Sequence, residues 1–109
     1  MNFKWYLKVV KGKSKRKGQE TNLTEEYLEQ LWEKQKGKCP YSNLQLELRT
    51  HAYAKPLSIY TASLDRIDNK IGYRIGNVKF VSVSFNYARN NFSVEDTITM
   101  CKAVAKHNK

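Results

Sequence analysis

Asp65 and Asn86 are the side chains whose oxygens, set among many cations, suit the hydrolysis of a phosphodiester. That reaction needs a cation on the scissile phosphate, a deprotonated water and stabilisation of charge on the leaving oxygen. One carboxylate and one amide, completed by phosphate oxygens and waters, suit a single Mg²⁺ or Mn²⁺, hard ions that keep several waters. Arg66, Lys70, Arg74, Lys79 and Arg89 lie around them, opposed between residues 65 and 89 only by Asp65 and Asp68. A cleft of that sign concentrates a polyanion and offsets the carboxylates. Each residue also has a structural reading. Asp65 can also be read as a strand-end residue paired with Arg66 or Lys70, and Asn86 as a helix cap or an amide that holds a hairpin.

The elements that must position these residues are legible around them. Residues 57–67 (LSIYTASLDRI) are rich in β-formers and end in a charged pair; residues 78–83 (VKFVSV) alternate. The stretch between them carries two glycines and two asparagines, so the two strands read as a long-looped antiparallel hairpin. Residues 84–90 then read as a short helix that carries Asn86. Ahead of the hairpin, Thr24 caps a helix whose first turn holds Glu25 and Glu26 and whose end is marked by Lys34, Lys36 and Gly37. Tyr27, Leu28, Leu31 and Trp32 form its buried stripe. A last helix runs from Ser93 to about His107, with Val94, Ile98, Cys101 and Ala105 on one face, so Cys101 reads as packing. The class is α+β, a hairpin and helix packed by helices on the N- and C-terminal sides.

At 109 residues the chain has room for one core. Lys and Arg number 20 against 10 Asp and Glu, a net charge of +10, which favours a polyanionic partner. Lys4, Lys8, Lys11, Lys13, Lys15, Arg16 and Lys17 all precede the first acid, Glu20. Residues 1–20 therefore read as a basic arm, a strand over Phe3–Val10 followed by the flexible stretch KGKSKRKGQ, outside a domain of residues 21–109. Its Lys13, Lys15, Arg16 and Lys17 are candidates for neutralising phosphates, or else a solvated tail. No apolar run approaches the roughly 18–20 residues of a membrane span. The start, MNFKWYLKVV, lacks the pattern of a signal peptide, which points to a cytosolic product of a prokaryote, phage or host cell. Two cysteines, Cys39 and Cys101, make a disulfide framework unexpected and cannot form a four-cysteine zinc site, so two reduced, partly buried thiols and no structural zinc are expected.

Ser63-Leu64-Asp65-Arg66-Ile67-Asp68, then Gly72-Tyr73, Gly76-Asn77-Val78 and Asn86 resemble, in order and spacing, the branch of the HNH endonuclease superfamily that reads S-L-D-R-I-D, G-Y, G-N-V, N. Gly37-Lys38-Cys39-Pro40-Tyr41-Ser42-Asn43-Leu44-Gln45-Leu46 is similar to a segment which that family writes G-x-C-x-x-T-G-x-x-L. The resemblance covers about residues 23 to 107. It implies a ββα-metal nuclease that grips one divalent ion and cuts a phosphodiester in DNA, with Asp65 and Asn86 as metal ligands and Asn77 bracing the loop through its amide; duplex DNA is the expected partner, and the chemistry of a guanidinium makes Arg66 a phosphate clamp.

The type motif has a histidine base after its metal-binding acid, and Arg66 stands there instead. A guanidinium stays protonated and cannot act as a base. The branch shares this arginine, so the base lies elsewhere, with His51, His107, Asp68 and Tyr73 as candidates, or the metal activates its own water. Ser82 replaces another histidine frequent in similar sequences. These departures leave open a second expectation, a nucleic-acid-binding module of the same fold without cleavage; a third, an RNA-associated basic protein, rests on charge alone. Tyr73 and Tyr87 are either base-stacking or packing residues.

Overall fold

The computed structural model describes residues 2–51 and 56–109. Among them, four helices and a two-stranded antiparallel sheet follow the order α1 (Lys4–Arg16), α2 (Glu25–Gln35), β1 (Ala62–Arg66), β2 (Val78–Ser82), α3 (Val83–Arg89) and α4 (Val94–His107). The α+β class is as expected. The strands pair from Ala62↔Ser82 to Arg66↔Val78, and α3 begins on the residue after β2. The first strand is shorter than residues 57–67, because Leu57, Ile59 and Tyr60 are solvent-exposed and run outside the ladder.

Phe80, at the centre of β2, is fully buried, and the core is built on it. The rings of Phe3, Tyr6 and Trp32 surround it at centroid distances of 5.9, 5.4 and 5.3 Å, the last two nearly perpendicular. This edge-to-face geometry sets the positive ring edges against the negative ring face. Two of these three rings belong to the first six residues, so the N-terminal segment is part of the core.

That placement corrects the reading of residues 1–20 as an arm. Phe3, Trp5, Leu7 and Val9 alternate as a strand would, while Phe3, Tyr6 and Val10 recur at helical spacing. The helical set wins because it alone puts three side chains, each at most 2% exposed, onto Phe80 and its neighbours. The helix then continues through the stretch expected to be flexible, and its last turn holds Lys13, Lys15 and Arg16, where cations meet the negative end of the helix dipole. Gly18, with φ of 64°, ends it in a conformation that disfavours other residues.

Helix α2 starts where the sequence places it, with the Thr24 hydroxyl accepting from the Tyr27 N–H at 3.1 Å and Leu28 and Trp32 buried. Its exit needs Gly37. A Cβ there would lie 2.6 Å from the Gln45 side chain and 2.9 Å from the Trp32 ring, at a φ of 66°. The last residue of α2 also closes the sheet: the Gln35 amide donates to the Phe80 carbonyl (2.8 Å) and accepts from its N–H (3.0 Å), as a third strand would. Across the sheet, Ala62 donates to the Glu47 carbonyl and accepts from the Tyr6 hydroxyl, each at 2.9 Å.

Helix α4 is capped by Ser93 as expected, yet only its first turns pack. Thr97 is buried and Val94 and Ile98 are half-buried, whereas Cys101 and Ala105 are exposed, so Cys101 is not a packing residue. The amphipathic pattern runs on past the edge of the globule it was expected to meet. Among the described residues, no helix is long and apolar enough to cross a membrane.

Phe3→Ala removes a ring buried between Trp32 and Phe80, and a loss of about 3–5 kcal/mol is expected in urea denaturation. A dispensable arm predicts almost no change.

Candidate functional site

The loop between the strands is braced from within by the Asn77 side chain. The Asn77 amide oxygen accepts from the Asp68 N–H at 2.9 Å, and its nitrogen donates to the carbonyls of Asp68, Ile71 and Gly72 at 2.9–3.3 Å. Asp68 in turn accepts from the Lys70 N–H, so it caps its own loop. Asn77 therefore has the bracing place expected of it, and it fixes where β1 ends and where Asp65 and Arg66 emerge.

Asp65 and Asn86, distant in sequence, line one open cleft of about 670 Å³. Arg66, Asn69 and Tyr73 come from the hairpin, Tyr87, Asn90 and Asn91 from α3 and the segment after it, and Lys13, Arg16 and Lys17 from the end of α1. The Asn86 amide nitrogen donates to the Ser63 hydroxyl on β1 at 2.7 Å, which leaves its oxygen as the metal-competent atom. Arg66 lies over the Tyr73 ring (5.3 Å to the centroid) and donates to the Asn69 carbonyl; Lys13 approaches the same ring at 5.9 Å. Tyr73 is buried and acts as a platform for two cations instead of a stacking surface for bases.

Arg89 is not a phosphate contact. It is 2% exposed, and its guanidinium donates to Asp65 Oδ2 at 2.7 Å and to the carbonyls of Arg66, Ile67 and Phe92. It lies three residues beyond Asn86 on a seven-residue helix, hence on the face turned to the sheet; that spacing was the available signal. Lys70 and Arg74 are exposed on the loop, Lys79 lies over the Tyr41 ring at 5.8 Å, and Lys15 is exposed on α1. None of these four lines the cleft, and neither do His51 and His107. The cations of the cleft come mostly from α1 and not, as expected, from the hairpin. Asn69, Asn90 and Asn91, which line it, carried no sequence signal. Ser82 pairs with the Ser84 hydroxyl at 2.9 Å.

The donor set fits a hard divalent ion. A carboxylate offers about four lone-pair sites, of which Arg89 takes one, and the Asn86 oxygen adds a neutral donor. Among the described residues, no three His, Cys, Asp or Glu side chains cluster as metal ligands, so an ion held here draws its remaining oxygens from substrate and water. No protein-family model matches this chain, and neither a curated protein nor a solved structure does.

Burial raises the pKa of Asp65, and the hydrogen bond and charge of Arg89 pull it back only in part. The folded chain therefore holds this proton more tightly than the unfolded chain. The contribution of Asp65 to stability is greatest below the pKa of an unfolded aspartate and is lost as pH rises through the raised folded value. Side-chain carboxyl NMR of the metal-free protein is expected to place Asp65 above the ordinary aspartate range. A midpoint at or below that range contradicts this assignment.

Proposed function

We propose that this chain is a metal-dependent DNA endonuclease of the HNH type, with Asp65 and Asn86 holding one Mg²⁺ or Mn²⁺. The observation that supports it best is that Asp65 and Asn86 line the same cleft as Arg66 and three cations, Lys13 and Arg16 of α1 and Lys17 just after it. When bound, the ion would polarise the scissile phosphate and lower the pKa of a bound water. The side chains supply the rest. Arg66, oriented by Tyr73 and Asn69, clamps a phosphate oxygen and offsets the charge that builds up on it. Lys13, Arg16 and Lys17 hold the neighbouring phosphates, and Asn77 keeps Asp65 and Arg66 in register.

The buried Asp65–Arg89 pair makes the carboxylate locally neutral. Affinity for a cation therefore depends on the negative charge that DNA brings. The same pair favours a second reading, in which Asp65 is structural and the cleft binds nucleic acid without cutting it.

Nicking of supercoiled plasmid in Mg²⁺ or Mn²⁺ separates the two. Asn86→Ala and Asp65→Asn are each expected to lower the rate at least about 100-fold with the fold retained by circular dichroism; Asn replaces Asp65 because it keeps an acceptor for Arg89. Nicking by Asp65→Asn at the wild-type rate sinks the metal assignment, and binding without nicking in any divalent ion favours the second reading. Independently, replacing Lys13, Arg16 and Lys17 together by Ala is expected to reduce the slope of log affinity against log salt by about 2–3 for duplex DNA. An unchanged slope removes α1 from the interface.

A further inference from the structure

Tyr87 follows Asn86 on α3 and is 67% exposed while lining the cleft. Phe92, almost equally exposed, does not line the cleft, and the other aromatic side chains on this side are committed. Tyr73 lies under Arg66 and Lys13, and Tyr41 and Phe85 stack on each other at 4.7 Å. Among the described residues, the Tyr87 ring has no aromatic or cationic partner.

The chemistry of this lip differs from that of the α1 side. Lys13, Arg16 and Lys17 are charges suited to phosphates, whereas beyond Asn86 come one bare ring and the amides of Asn90 and Asn91, each carrying a donor and an acceptor. A phosphate accepts from an amide N–H but has no use for the amide oxygen or for an aromatic face; a nucleobase uses all three. The lip is also held in place. The chain turns at Asn90 with φ of 45°, and the Asn69 amide donates to the Asn90 carbonyl at 3.4 Å, tying the hairpin loop to the end of α3.

We propose that the cleft takes DNA with a locally unstacked base, and that Tyr87 stacks on the base next to the phosphate clamped by Arg66. The inference rests on the reading of the cleft as a DNA site. The Tyr87 ring lines the same cleft as Asp65, Arg66 and Asn86, which puts it beside a nucleotide flanking a phosphate held there. Bases in an intact duplex show only their edges, and a ring face is used only by a base that has left the stack. The cleft therefore favours a bulge, mismatch or single-stranded stretch over a perfect duplex.

The test is done in EDTA, where no cleavage occurs, by fluorescence anisotropy at fixed salt on duplexes of equal length with and without one unpaired base, using the full chain. The expected result is about tenfold tighter binding to the bulged duplex. Tyr87→Ala loses that preference with its melting temperature unchanged, and Tyr87→Phe and Tyr87→Trp keep it. A 2-aminopurine at the unpaired position is quenched by wild type and not by Tyr87→Ala. Equal affinity for both duplexes, or a preference that survives in Tyr87→Ala, overturns the proposal. Preference without nicking in any divalent ion rejects the nuclease reading and keeps this one; nicking without preference does the reverse.

Discussion

Arg89 is the side chain on which the cleft depends. A guanidinium has five donors in a fixed plane, and here its three nitrogens bond to one carboxylate oxygen and three main-chain carbonyls. Those partners lie at the end of β1, at the start of the hairpin loop and in the segment between α3 and α4. One buried side chain thus ties three parts of the chain whose meeting defines the floor of the cleft. Its charge is tolerable because it is paired and each of its three nitrogens is hydrogen-bonded; removal of either partner leaves the other buried and uncompensated, which ordinarily costs several kcal/mol, about 3–5. The pair also sets the sign of the cleft. With Asp65 neutralised from behind, the field at its mouth belongs to Arg66 and the three cations at the end of α1.

Helix α1 couples stability to electrostatics. Tyr6 and Val10 of the helix, with Phe3 at its N-cap, belong to the buried core, while Lys13 and Arg16 in its last turn and Lys17 just after it line the cleft. A side chain of α1 that changes the seating of the helix also changes where its charges point. The basic N-terminal segment is one wall of the cleft and not an appendage to it.

Much of the site was legible because its parts are local. The loop between two strand-like runs, the short helix carrying Asn86 and the Thr24 and Ser93 caps each depend on residues only a few positions apart, whereas the Asn77 brace was implied by the resemblance alone. What failed was decided at long range. Residues 3–10 satisfy both periodicities, and only the position of Phe80 selects the helix. Arg89 looked like another surface cation because its count of like-charged neighbours says nothing of burial; its three-residue offset from Asn86 was the clue. The stripe of α4 is genuine, but no local rule says how far the surface it packs on extends. Fold class and hairpin could thus be read from pattern, whereas which cations face the cleft required the packing.

The Gln35 contact has a consequence for the chain in company. A two-stranded sheet offers an open row of donors and acceptors on each outer edge, and such edges recruit strands from other molecules. Here a side-chain amide occupies the central rung of β2, and Glu47 and Tyr6 occupy the rung at Ala62. The outer edge of β2 is thereby closed to intermolecular pairing at its middle, and that of β1 at the Ala62 end. A hairpin this small can remain two strands wide without becoming a seed for aggregation.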